Sequence, residues 1–214
     1  ASTYLGGSST EKGFDIVATA NEVFVAGNTF SSSFPGVAGS YDTSLGGYSD
    51  YFIAKLNTSL SGLTLATYLG GSSADDYQIK LAVSGSDVIA SGWTQSSDFP
   101  TTVGSFSQVA NDIFVSRLNT GLTTLAASTF YGGNAGDGVY DIAVLGSNVY
   151  VAGSTSSTNL PTPSGYRTTA YGAGDGFIAK FSTTSMTLTS ATYIGGTSDD
   201  QARGIAAHTD GYGT

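Results

Sequence analysis

Residues able to do chemistry are few in this chain, and most of them recur. Acids cluster at Asp75, Asp76, Asp137, Asp199 and Asp200, each a few residues after a Gly-Gly pair, and again at Asp50, Asp112 and Asp175. Carboxylates gathered with carbonyl oxygens suit Ca²⁺, so the five loop aspartates are the candidate calcium ligands, although no D-x-D-x-D-G loop is present and loop Asp also caps turns. His208 is the only histidine and there is no cysteine, which removes thiolate sites, disulfides and a cysteine nucleophile. No G-x-S-x-G, H-E-x-x-H, phosphate-loop or dinucleotide pattern occurs, so the chain is read as non-enzymatic. Trp93 is the only tryptophan and stands where Asn28 and Ser154 stand in sister segments. With Tyr48, Tyr166 and Tyr171 it is the candidate ligand-binding set, aromatic rings being able to stack on a sugar.

The spacing of these residues follows a repeat. Gly6-Gly7, Gly70-Gly71, Gly132-Gly133 and Gly195-Gly196 lie 64, 62 and 63 residues apart. After each pair come a polar loop, a short apolar run (FDIVA from Phe14, IKLAV from Ile79, YDIAV from Tyr140, RGIAA from Arg203), and a run ending near glycine (VFVAGNT, VIASGWT, VYVAGST). Then follow SSSFP, SSDFP or STNLP, a third run (YFIAKL, IFVSRL, GFIAKF), and a fourth that ends in the next Gly-Gly. Runs of four to eight residues rich in Val, Ile, Phe, Tyr and Thr and bounded by turn formers read as strands. They predict strands a to d near 14–18, 23–28, 51–57 and 63–69 in the first unit. Nearly continuous apolarity implies strands covered on both faces. Four short antiparallel strands per unit is the blade of a β-propeller, and the expectation is an all-β, propeller-like single domain with units of about 8–71, 72–133 and 134–196 and a partial unit at 197–214.

STYLGG, the VYVAGST-type second strand, the S-S-x-F-P turn and the D-x-F-[IV]-A-K third strand resemble the SBBP-type β-propeller repeat of prokaryotic extracellular and surface proteins. The resemblance implies structural, adhesive or anchoring roles and supplies no catalytic residues. The third unit departs from it at Leu160 and at its NAGDG loop.

Composition agrees with exposure outside the cell. The 214 residues are 40% hydrophobic and 11% charged, with 30 Gly, 13 Tyr and a net charge of −9, which disfavours nucleic acid and anionic membranes. No apolar run is long enough for a membrane helix, no signal peptide is visible, and a start at Ala1 suggests a trimmed product. Asn57-Thr58-Ser59 is a glycosylation sequon. The basic residues Lys55, Arg117 and Lys180 share one position in the third strands, and Asp15 and Asp141 are the expected partners in two of the units, the second unit having Gln78 or Ile79 at that place.

The sequence begins with a d-type strand at 2–7 and ends after an a-type strand at 203–209. It is therefore either an excerpt of a longer propeller or a subunit completed by other copies. Self-association through Thr3, Tyr4, Leu5 and Ile205, giving a homo-oligomer or filament, is the first functional expectation. A glycan-binding surface on the face of the long loops 30–49, 95–111 and 156–174 is the second.

Overall fold

A computed structural model describes residues 1–75, 77–102 and 112–208. It is all-β, with no helix among the described residues, and holds three four-stranded antiparallel sheets. The first sheet is β1 (Glu11–Ala18), β2 (Glu22–Thr29), β3 (Asp50–Asn57) and β4 (Leu63–Leu69). The second is β5 (Ile79–Ser84), β6 (Asp87–Thr94), β7 (Asp112–Asn119) and β8 (Leu125–Tyr131). The third is β9 (Asp137–Leu145), β10 (Asn148–Thr155), β11 (Asp175–Ser182) and β12 (Leu188–Ile194). Each sheet is a meander in chain order, so sequence neighbours are hydrogen-bonded neighbours. The expected strands of the three full units are thus present, each within a few residues of its expected limits.

The sheets pack face to face in series. β1 lies beside β5 and β5 beside β9, and the three sheets do not close on themselves. The core fills the spaces between them. Tyr51 of the first sheet meets Phe114 of the second, with ring centroids 5.4 Å apart, and Tyr131 of the second meets Phe177 and Phe181 of the third, each at 5.6 Å. The middle strands β3, β7 and β11 are buried along most of their length, which is why they read as unbroken apolar runs.

The S-S-x-F-P loop plugs each sheet. Phe34 stacks on Phe52 at 4.6 Å and Phe99 on Phe114 at 4.4 Å, while Leu160, buried to 4% exposure, takes the same place in the third unit. Tyrosines of the outer strands tie the loop down: Tyr68 Oη donates to Ser31 O (2.6 Å) and accepts from Phe34 N (2.9 Å), and Tyr193 Oη does likewise with Ser157 O and Leu160 N. The second unit has Phe130 here and no such hydroxyl.

Two expectations are corrected. Residues 2–7 and 203–208 are not strands. A strand exists only through its neighbours' hydrogen bonds, and no strand pairs with residues 2–7, which touch the first unit only through contacts such as those of Leu5 and of Gly7 with the Glu11 side chain. Residues 200–205 instead lie along the third sheet, with Asp200 N on Gly174 O (2.9 Å) and Ala202 N on Gly153 O (3.1 Å). The expected pairing of strand-c cations with Asp15 and Asp141 is also absent. Lys55 pairs with Glu22 (3.2 Å) and Arg117 with Asp87 (2.9 Å), both across the β2–β3 or β6–β7 register, and Lys180 lies 5.9 Å from the Tyr150 ring centroid. These partners are cross-strand or near neighbours, and each ion pair stays partly exposed, a cheaper arrangement than a fully buried pair.

Candidate functional site

The loop acids are placed by the glycines before them. The second Gly of each pair donates its N–H to an acid four residues on: Gly7 to Glu11 (3.1 Å), Gly71 to Asp75 (2.9 Å), Gly133 to Asp137 (2.9 Å) and Gly196 to Asp200 (2.6 Å). The first Ser of each S-S-x-F-P loop, or its equivalent, donates to the same carboxylate, Ser31 to Glu11, Ser96 to Asp75 and Ser157 to Asp137. A side chain on Gly7, Gly71 or Gly133 would collide with the loop serine, and one on the first glycine of the last three pairs with the acid that opens the third strand. A β-carbon on Gly70 would sit 2.4 Å from Asp50 Oδ1, one on Gly132 2.2 Å from Asp112 Oδ1, and one on Gly195 2.2 Å from Asp175 Oδ1. Repetition of Gly-Gly is therefore explained by close approach, with no need for a ligand.

Acids also meet across sheet junctions. Asp75 N donates to Ser49 O (2.9 Å), which brings Asp75 beside Asp50, whose Oδ2 accepts from Gly46 N (2.8 Å). Both carboxylates are fully buried, and Asp50 Oδ1 and Asp75 Oδ1 have no protein donor. Burial pushes the Asp50 carboxyl up to about 7, opposed by the Gly46 N–H and reinforced by the charge of Asp75. Burial likewise raises Asp75 and Asp137, against the pull of their Thr, Gly and Ser donors. Of the candidate calcium ligands, Asp75 and Asp137 are buried in this hydrogen-bonded framework, Asp200 repeats it half-buried, Asp199 is exposed, and Asp76 lies outside the described residues. Among the described residues no three His, Asp or Glu side chains converge in metal-binding geometry.

Asp15 and Asp141 do something the sequence did not suggest. Each accepts from the next residue's N–H with Oδ1, Ile16 and Ile142 respectively, both at 3.0 Å. With Oδ2 each accepts from the following unit: Leu81 N on Asp15 (2.8 Å) and Ile205 N on Asp141 (2.9 Å). The units they reach have Lys80 and Gly204 where an Asp would stand, so one carboxylate serves two consecutive units. Arg117 adds a second tie by donating to Thr184 O of the third unit (2.9 Å).

The aromatic candidates do not form one group. Tyr48 is exposed, edge-on to Phe30 at 5.4 Å, beside Ser9, Thr10 and Lys12. Tyr166 is exposed, and Tyr171 lies under the Arg167 guanidinium at 4.4 Å. Trp93 is half-buried and meets the exposed Tyr77 edge-to-face at 4.4 Å, at a cleft of 440 Å³ between the second and third sheets that Tyr140 also lines. Tyr77 is not repeated in the other units, whereas Tyr140 stands where the first unit has Phe14, itself skipped in the β1–β2 register. Tyr140 is the residue skipped by the β9–β10 register, a bulge that turns its ring out of the ladder.

Of the assembly candidates, Thr3 and Tyr4 are exposed, Leu5 packs partly against Phe34 and its neighbours, and Ile205 is half-buried on Asp141. His208 is exposed. Compared with protein-family models and with curated proteins, the chain matches none.

Proposed function

We propose that this chain is a non-enzymatic structural and adhesive module of the SBBP-like propeller type, working outside the cell, and that it associates with its own kind through the segment around Tyr4. The three sheets stand as successive propeller blades in this reading, their a strands toward a common axis. The acids, serines and glycines that recur in every unit are consumed in holding loops and neighbouring units together, which suits a load-transmitting framework better than a reaction site.

The observation that carries self-association is the contrast among equivalent tyrosines. Tyr68 and Tyr193 are buried, with hydroxyls bonded on both sides, whereas Tyr4, in the same STYLGG-type context, is fully exposed. A segment with the side-chain pattern of a sheet strand and nothing over it is a template for another chain. Because the chain has no cysteine, Tyr4→Cys gives a single reporter thiol. Its reaction with a thiol reagent should slow as protein concentration rises. A rate equal to that of a free thiol at every concentration would remove this contact from the account.

The glycan-binding alternative is favoured by a separate observation, the cleft that gathers Tyr77, Trp93 and Tyr140.

A further inference from the structure

Residues that break the repeat are scattered in sequence but meet at one place. Trp93 occupies the strand-end position held by Asn28 and Ser154 in the other units. Gly136 and Gly138 stand where the first unit has Thr10 and Lys12 and the second has Ala74 and Asp76. In the fold, Trp93 on β6 forms one wall of the 440 Å³ cleft, Tyr140 on the β9 bulge lines it too, and Gly136 and Gly138 leave its floor bare. Nothing would lie within 4 Å of a β-carbon on Gly136, and only Ser154 Oγ, at 3.8 Å, near one on Gly138. The framework glycines Gly70, Gly71, Gly132 and Gly133 have no such room.

We infer that this cleft binds a neutral pyranose ring of a polysaccharide, stacked on Trp93 and hydrogen-bonded at its rim by Gln78 and Ser154. The inference deepens the adhesive half of the reading above and does not depend on self-association. Tyr77 braces Trp93 edge-to-face at 4.4 Å, and the Arg203 guanidinium lies 5.2 Å from the centre of the Tyr140 ring, so both rings are held before a ligand arrives. Aromatic faces take the C–H face of a sugar, while an amide and a hydroxyl serve its hydroxyl groups. Charge sets the rest of the choice. No Lys or Arg lines the cleft, Asp137 lies in its wall, and the chain carries a net charge of −9, so anionic ligands are disfavoured. Asp137 is buried, with Oδ2 accepting from Gly133 N and Ser157 Oγ and Oδ1 also beneath the surface, so its carboxylate is not presented to a cation in the cleft.

Trp93, as the only tryptophan, reports on the site directly. Its emission should be titrated with glucose, with the neutral hexasaccharides of glucose, mannose and galactose, and with trigalacturonate as an anionic control. The expected result is a saturable change with at least one neutral hexasaccharide, tighter than with glucose, and none with trigalacturonate. Gly138→Val keeps Trp93 and fills the floor, and should weaken binding at least about tenfold, or about 1.4 kcal/mol, while leaving the melting temperature close to that of the parent. Emission unmoved by every neutral sugar, equal binding by a folded Gly138→Val chain, or preference for trigalacturonate would each overturn the assignment. Loss of binding in Gly138→Val together with concentration-dependent protection at Tyr4→Cys would leave both parts of the account standing, and failure of either assay alone identifies which part is wrong.

Discussion

Asp50→Asn should stabilise the protein at neutral and alkaline pH. The Asp50 carboxylate is wholly buried at the junction of the first two sheets, next to a second buried carboxylate, Asp75. Its Oδ2 accepts from the Gly46 N–H at 2.8 Å, the Gly47 N–H also favours the charged form, and its Oδ1 has no protein partner. Burial holds its folded-state pKa at about 7 against 3.8 for a free Asp. Between those limits the folded state binds more protons than the unfolded one, so stability falls as pH rises. The contribution is fully present below about pH 4 and lost by the time pH has passed the folded value. A difference of roughly three pH units corresponds to about 4 kcal/mol at full ionisation, and the raised values of Asp75 and Asp137 act in the same direction. The amide of Asn carries no charge, keeps an oxygen for Gly46 N, and puts a donor where Asp50 Oδ1 stands, near Asp75. Urea unfolding of parent and variant across pH 4 to 8, two-state fits being checked at each pH, gives the comparison. The parent should lose stability across that range and the variant should lose less, so that Asp50→Asn is the more stable above neutrality by about 1–4 kcal/mol. A parent that gains stability from pH 4 to 8, or a variant weaker than the parent at pH 8, would refute the reasoning.

Other consequences follow from the same framework. Asp15→Ala leaves the N–H of Leu81, which is 6% exposed, without its acceptor and should cost about 1–3 kcal/mol in chemical unfolding; an effect within error would show that the tie between units carries no load. Gly70→Ala drives a β-carbon to 2.4 Å from Asp50 Oδ1 and should destabilise by about 1–3 kcal/mol, whereas Gly136→Ala, in open space, should be neutral by thermal melting. Tyr193→Phe removes the hydroxyl between Ser157 O and Leu160 N and should cost about 1–3 kcal/mol, while Tyr166→Phe, fully exposed, should cost nothing measurable.

Strand positions were legible because the chain repeats itself: each Gly-Gly marks the end of a fourth strand, and buried middle strands such as Phe52-Ile53-Ala54 announce themselves by continuous apolarity. The part of the site that was hidden is the part made between units. Asp15 finds Leu81, 66 residues away, and nothing in the local pattern around either residue signals the bond. Local reading favoured pairing Asp15 with Lys55 by opposite charge, yet the register sets Lys55 opposite Phe24, two residues from Glu22, which takes the ammonium. Trp93 was visible as an unrepeated aromatic, but its neighbours Tyr77 and Tyr140 were not, since one lies in a loop and the other is exposed to the cleft only by a bulge that the sequence does not mark. The terminal segments were misread for a related reason. Ser2-Thr3-Tyr4-Leu5 has the composition of a strand, but hydrogen bonding to a neighbour, absent there, is what makes one.

Self-association is the claim on which the functional reading turns, and the mass of the native particle in solution tests it most directly. Light scattering coupled to size exclusion should give a value that is a multiple of the 21.6 kDa chain, rising with concentration, and deletion of residues 1–7 should return it to that of a single chain. A mass equal to one chain at all concentrations, unchanged by the deletion, would contradict the account.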